Sequence, residues 1–286
     1  MHFRDVEKRQ TISRLEMAAY LRAPAAPLVV RGAMQGWPAM KHWSLDFFAE
    51  HFADFPVMAH APQFPGLAIC SVKTTLGNYV DYLRNPGKGR IKGEWLKGDP
   101  ATLLKSGLSL YAGNFNPAHP KYGDRDFLFR YVPALPDFIE CWRSLLDPGF
   151  NRACEWLQSH HFVYLSVAGG VTPLHDDFWD THAFLAQISG RKEAFLFSPD
   201  RMPVLYDEQT GNVRAMMDDP KFADVEGWRA TLMPGDMLIL PSRWLHYVET
   251  IETSITYSAD WIDATNWRSY VASATEALAG ETGSPS

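Results

Sequence analysis

Apolar positions in this 286-residue chain change their period a little past the middle. In the front half the spacing is helical. Ser13 and Glu16 stand at capping-box distance before a helical pattern over residues 13–22. Ser44 caps a predicted helix over 44–55, with Leu45, Phe48 and Phe52 on one face. Residues 75–86 read as another helix, stopped by Pro86. A further one is predicted over 136–146 from Phe138, Cys141, Trp142 and Leu145 at i, i+3, i+4 and i+7. Between them PLVVRG (27–32) reads as a short strand.

From residue 160 the texture becomes β. HFVYLSVAGG, EAFLFSP, DMLILP and SITYSADW are short strand-like runs between Gly and Pro turns, the pattern of an antiparallel sandwich or barrel. Residues 202–229 are polar and weakly patterned, a long loop of the kind that carries function. NWRSYVASATEAL closes the chain as a helix, and 279–286 reads as a disordered tail. The expected organisation is one unit over 1–278: a helical and strand wrap (1–160), a β-barrel core (161–262) and a C-terminal helix (263–278).

Composition narrows the partners more than the fold. Aromatics make up 13% of the chain, which suits a β-rich core. Net charge is −6 with no basic stripe, which argues against a nucleic-acid partner. Cys70, Cys141 and Cys154 form no CxxC pair, so neither a disulfide set nor a zinc–cysteine site is expected. The charged opening MHFRDVEKRQ has no signal-peptide core, and no apolar run is long enough for a bilayer; the expectation is a cytoplasmic protein.

Chemistry gathers in TPLHDDFWDTHAFLAQISGRK (172–192). On extended backbone, His175 and Asp177 point to one side and Asp176 to the other. A return strand carrying His246, within PGDMLILPSRWLHYV, would add a third ligand and complete a two-histidine, one-carboxylate set with three open coordination positions. His246 reads equally well as a core histidine packed with Trp244 and Tyr247. Lys192 reads from pattern alone as a strand-end charge, and His182 as a loop histidine or a group near the metal or substrate.

Taken together, VVRGAMQGWPAMKHWS (29–44), VTPLHDD, FLAQISGRKEAFLFSPD (184–200), PGDMLILPSRWLHYV (234–248) and the final Asp260-Trp261 resemble the JmjC-type, cupin-like oxygenases. These depend on 2-oxoglutarate and iron(II), and the group contains the asparaginyl hydroxylase that inhibits hypoxia-inducible factor. The resemblance covers most of the chain. It implies a mainly β fold with flanking helices, a double-stranded β-helix (jelly-roll) core behind an N-terminal helical section. It implies His175, Asp177 and His246 as iron ligands, and Lys192, Thr172 and Tyr111 as groups holding the distal carboxylate of 2-oxoglutarate. Tyr111 reads equally as a core aromatic. Two amides that relatives carry near the metal end are replaced here by Ala183 and Ala259, with His182 or Ser258 as substitutes.

The implied reaction is oxidative decarboxylation of 2-oxoglutarate by dioxygen, coupled to hydroxylation of an unactivated C–H bond or to demethylation. A protein or peptide side chain is the first substrate reading, with a cleft under residues 201–231. A small-molecule tailoring hydroxylase is the alternative, and a non-oxygenase metal-binding cupin the reading from another class. Lys192 with Thr172 separates them, because a non-oxygenase has no use for an oxo-acid clamp. Trp267, Tyr270, Val271, Ala274 and Leu278 offer either a homodimer face or a stripe packed on the chain's own core.

Overall fold

The structure, a computed structural model, describes all residues except 23–24, 64–66, 86–90, 113–114, 118, 120–124, 207–212 and 283–286. The front half contributes β1 (His2–Asp5), β2 (Glu7–Arg9), β3 (Leu28–Arg31), β4 (Pro56–Gln63), β5 (Leu67–Thr75) and β6 (Glu94–Lys97). The back half contributes β7 (His161–Ser166), β8 (Val171–His175), β9 (His182–Ser189), β10 (Lys192–Phe197), β11 (Glu226–Leu232), β12 (Asp236–Leu240), β13 (Leu245–Thr250) and β14 (Ser254–Trp261).

One sheet runs β1-β11-β10-β13-β8, a second β2-β3-β12-β9-β14-β7, and β4-β5-β6 form a third. The strands β7 to β14 divide four and four between the first two sheets, all antiparallel to one another, which is the jelly-roll arrangement of a double-stranded β-helix. The N-terminal section does more than wrap this core: β1 extends the first sheet in parallel with β11, and β3 extends the second beside β12.

Strand parity sorts the apolar side chains into three layers. Ala183, Leu185, Ala194, Leu196, Leu238, Leu240 and Val248 pack between the two sheets. On β9 and β12 the alternate residues Phe184, Ala186, Met237 and Ile239 face the other way, into a core shared with the front-half helices. Behind the first sheet Phe195, Phe197 and Tyr247 pack with Leu205, Val213, Met216 and Phe222. The described residues 202–206 and 213–225 therefore cover the outer face of that sheet with the short helices Met202–Tyr206 and Val213–Met217, and 226–232 form β11, where a long loop was expected.

Several expected helices are present, two of them with the cap read for them. Arg14–Arg22 carries the Ser13/Glu16 box, with Ser13 N–H donating to Glu16 Oε2 at 2.8 Å and Glu16 N–H to Ser13 Oγ at 3.2 Å. Leu45–His51 is capped by Ser44, and Leu76–Arg84 by Thr75; Pro86 lies outside the described residues. The helix expected over 136–146 is absent. Only a 3₁₀ turn, Trp142–Leu145, forms there, and Leu145 is 73% exposed. Trp142 N–H donates to the Ile262 carbonyl at 2.8 Å, and Arg143 Nη2 to the Asp260 carbonyl at 3.1 Å. A short helix is marginal alone, so these bonds to the end of β14 outcompete it.

The C-terminal helix, Trp267–Thr282, buries Tyr270 and Ala274 against Cys154 and Ile262, with Trp267, Val271 and Leu278 packed on the same cluster. Tyr270 and Ala274 of the stripe are thus covered by the chain's own residues, and Trp267, Val271 and Leu278 partly so. Positions 279–282 continue this helix, and the last four residues lie outside those described. Cys70, Cys141 and Cys154 are all unpaired, and no described helix is long and apolar enough to cross a membrane.

Candidate functional site

A cavity of about 420 Å³ opens between the two sheets. His175, at the end of β8, lies directly across from His246 on β13, with ring centroids 4.0 Å apart. The strand ends at His175, but the backbone stays extended through Asp177 (φ −78°, ψ 155°), so the i and i+2 side chains converge. One donor atom from each of His175, Asp177 and His246 lies within 4.8 Å of the other two, and His246 Nε2 is 3.8 Å from Asp177 Oδ1. Asp176 is not among the residues lining the cavity.

Both imidazoles are oriented the same way. His175 Nδ1 sits 2.7 Å from the Pro173 carbonyl and His246 Nδ1 3.1 Å from the Trp244 carbonyl. Each Nδ1 therefore carries its proton toward a main-chain oxygen, which leaves Nε2 with a free lone pair. Burial, then the neighbouring His246, pushes the His175 pKa down to about 3, which keeps that ring neutral. Burial raises the Asp177 carboxyl, against the pull of His246. This donor set can hold a first-row divalent cation.

Thr172 and His175 both line the cavity although they are three residues apart, which regular strand alternation forbids. The pairing explains it. His246 faces His175 and Val248 faces Thr172, so three residue steps on β8 match two on β13. That is a bulge around Pro173, which has no N–H to lose.

Lys192 opens β10, on the far side of β13 from β8, where its Cα pairs with Thr250. Its side chain is 4% exposed and lies in the cavity wall, with no hydrogen-bond partner among the described residues. Its Nζ sits 5.6 Å from the centre of the Tyr164 ring, and burial alone pushes its pKa down to about 7. Four residues along β13 separate Thr250 from His246, about 13 Å between Cα atoms. A lysine stem and a short dicarboxylate together span that gap. Tyr111 is buried, stacks on Tyr164 at 6.3 Å, and hydrogen-bonds the Thr172 side chain. The three groups expected at the distal carboxylate therefore share one end of the cavity.

Two expectations change. His182 is neither an exposed loop residue nor a cavity group: it is 2% exposed, its Nδ1 accepts from Ser242 N–H at 2.8 Å, and its Nε2 lies 3.0 Å from Thr265 Oγ1. Ala259 is not at the metal end. It faces the outer core with Tyr257 and Trp261, whereas Ser258 and Asp260 line the cavity. Alternation along β14 turns Tyr257, Ala259 and Trp261 to that core, so the residue two before Trp261 shares its face and not the cavity's. Ala183 does line the cavity, as expected.

Sequence reasoning missed Tyr164 and Asp260. Both were accessible through parity: Phe162 and Tyr164 on β7 alternate with the outward-core residues Val163 and Leu165. The cleft expected under 201–231 is also corrected, since no described residue of that segment lines the cavity. The more exposed of its lining residues are His119, Leu157, Gln158 and Phe178.

A family model described as a cupin-like domain matches residues 14–266. The lysine-specific demethylase JMJ30 of Arabidopsis thaliana is 27% identical over 270 residues, covering 90% of this chain and 54% of its own length. The 2-oxoglutarate and iron-dependent oxygenase JMJD4 of Homo sapiens is 26% identical over 185 residues, 47% of this chain and 44% of its own. The tRNA wybutosine-synthesizing protein 5 of Gallus gallus is 32% identical over 244 residues, 82% of this chain and 70% of its own. The chain thus spans about half the length of the first two relatives. On the extent of the domain match, and on the jelly-roll that carries the cavity, the chain belongs to the JmjC-type, cupin-like family.

Proposed function

We propose that this protein is a 2-oxoglutarate- and iron(II)-dependent oxygenase that hydroxylates an unactivated C–H bond on a protein or peptide side chain. The observation that carries the reading is one cavity holding both the His175, Asp177, His246 donor set and the buried, unpartnered Lys192. His175, Asp177 and His246 would hold the ion and would leave it open to a bidentate oxo acid and to dioxygen. Iron(II) there supplies dioxygen activation coupled to decarboxylation of the oxo acid. The chain's own residues bind and orient. Lys192, Thr172 and Tyr111 hold the far carboxylate through charge-assisted and neutral hydrogen bonds. Leu185, Leu240 and Val248 line the cavity with apolar surface and limit water at the reacting centre.

The cavity holds the co-substrate and about one side chain more, and Phe178 stands 63% exposed at its mouth, so a side chain entering from outside suits it. Hydroxylation of a carbon bonded to nitrogen gives a carbinolamine that collapses to amine and aldehyde, so demethylation needs no different site.

The test is the weak visible charge-transfer band of an iron(II)–oxo-acid chelate, recorded without oxygen. Wild-type protein with iron(II) and 2-oxoglutarate should show it. Asp177→Ala should abolish it and Asp176→Ala should retain it; equal loss in both variants sinks the ligand assignment.

A further inference from the structure

His182 is the histidine of residues 172–192 that neither the metal set nor the co-substrate clamp uses. It opens β9, five residues after Asp177. The turn between them is strained: Trp179 and Asp180 both have φ 54°, a left-handed conformation that residues other than glycine adopt reluctantly. Such a turn persists only where its surroundings over-determine it. Thr181 Oγ1 donates to the Phe178 carbonyl at 3.0 Å, and Asn266 Nδ2 donates to the Asp180 carbonyl at 2.9 Å. His182 ties down the end of the turn.

Its bonds reach two further segments. Ser242 N–H donates to His182 Nδ1 at 2.8 Å, so the ring carries its proton on Nε2. That proton points to Thr265 Oγ1 at 3.0 Å and Asp263 Oδ1 at 3.4 Å. Ser242 lies in the turn before β13, four residues ahead of His246. Asp263 and Thr265 precede the C-terminal helix. Thr265 gives its N–H (2.7 Å) and its hydroxyl (2.6 Å) to Asp263 Oδ1, and Asp263 N–H donates to Asn266 Oδ1 at 2.8 Å. Asn266 returns to the Asp180 carbonyl, which closes the network on the turn after Asp177. His182 and Asn266 are both buried, where water competes little for these bonds. One imidazole thus joins the segment carrying Asp177, the segment carrying His246, and a helix start that lines no part of the cavity.

We infer that His182 is a positioning residue: it sets the spacing of the Asp177 and His246 donor atoms, and the start of the C-terminal helix holds it in place. This rests on the reading of His175, Asp177 and His246 as metal ligands. The ring also packs 5.3 Å from Trp261, so leucine in its place keeps apolar contact and loses only the bonds. Glutamine keeps one acceptor and one donor at a similar separation.

The test is cobalt(II), titrated into metal-free protein, whose d–d absorption reads coordination geometry without turnover. His182→Leu should weaken cobalt(II) binding roughly ten-fold or more and change the d–d bands. His182→Gln should restore most of the affinity and the wild-type bands. A merely structural histidine would lower the unfolding midpoint of His182→Leu and leave the affinity and spectrum of the folded variant at wild-type values; that result overturns the inference. Glutamine binding cobalt(II) as weakly as leucine also overturns it. Should near-UV circular dichroism show that the leucine variant lacks native packing, hydrogen exchange on wild type decides. Cobalt(II) should then slow exchange over residues 263–267 as well as in the ligand segments, and no change over 263–267 overturns the inference. A wild type that binds no cobalt(II) defeats the ligand assignment itself, whereas wild-type binding that His182→Leu leaves unchanged defeats this inference alone.

Discussion

Replacing Lys192 by methionine removes the ammonium and keeps an unbranched stem of similar reach. In the folded protein burial lowers the lysine pKa from 10.5 to about 7, with no acidic group offsetting it. A shift of about 3.5 pH units at 1.36 kcal/mol each makes the charged lysine cost about 5 kcal/mol of stability. The folded pKa lies below the unfolded one, so between pH 7 and 10.5 the unfolded chain binds the extra proton. Wild-type stability therefore carries the full penalty below pH 7 and recovers about 1.4 kcal/mol per pH unit up to 10.5. Against this stands the contact of Nζ with the Tyr164 ring, about 2 kcal/mol when desolvated.

Lys192→Met should accordingly be more stable than wild type by about 3 kcal/mol at pH 6.5, with the gap closing as pH rises toward 10. Urea unfolding of both proteins, free of metal and oxo acid, at pH 6.5, 8 and 9.5 measures it. Other titrating groups cancel in the difference. A variant less stable than wild type at pH 6.5, or a gap that does not change with pH, refutes the claim that Lys192 is held at a cost. The same variant should gain no stability from 2-oxoglutarate with metal, whereas wild type should.

Other consequences follow from named contacts. Because a bound carboxylate favours the charged lysine, affinity for 2-oxoglutarate should be level below pH 7 and fall roughly ten-fold per unit above it; calorimetry from pH 6 to 9 reads this, and a level profile removes Lys192 from the clamp. Gly190 has φ +71°, and a Cβ there would lie 2.2 Å from the Thr253 carbonyl. Gly190→Ala should lose more than about 2 kcal/mol in chemical unfolding and disturb Lys192 two residues on. Trp179 (φ 54°) is anchored edge-on against Tyr270 at 5.9 Å. Trp179→Ala should release the left-handed turn that follows Asp177 and weaken iron(II) binding about ten-fold, as seen for groups that orient ligands.

The jelly-roll was legible because its strands are short, β-branched or aromatic, and bounded by Gly and Pro, so period and punctuation agree. Helices were legible where a cap stood at the right distance, as at Ser13 and Ser44, or where a proline marked the stop, as after residue 85. Two that went unread, Pro100–Ser106 and Pro148–Leu157, both open on Asp-Pro, with Asp99 and Asp147 accepting from the third helical N–H. Pro at the first helical position behind an Asp cap is itself a start signal. The 136–146 segment failed for the opposite reason: a helical spacing of apolar residues counts for little when the end of β14 offers better hydrogen bonds.

The site divides along a similar line. His175, Asp177 and His246 follow from parity on extended backbone plus one return strand, and parity is a local property of sequence. Thr172 is three residues from His175 and reaches the same cavity only through the bulge at Pro173, which pairing with β13 defines and no local pattern does. Asp260 follows the same rule that revealed Asp177. Ala259 was expected at the metal end, but alternation along β14 puts Ser258 and Asp260 on the cavity side and Ala259 on the other. The partners Leu185 and Ala183 on β9 set those faces, and they place a carboxyl in the buried wall of the cavity. Lys192 then stands as the buried cation of the cavity that no protein group among the described residues pairs, while burial and the neighbouring Asp177 push the Asp260 carboxyl well above its ordinary range. A fold tolerates such a charge only where a ligand completes it. An anion is thus what the cavity's own electrostatics ask for.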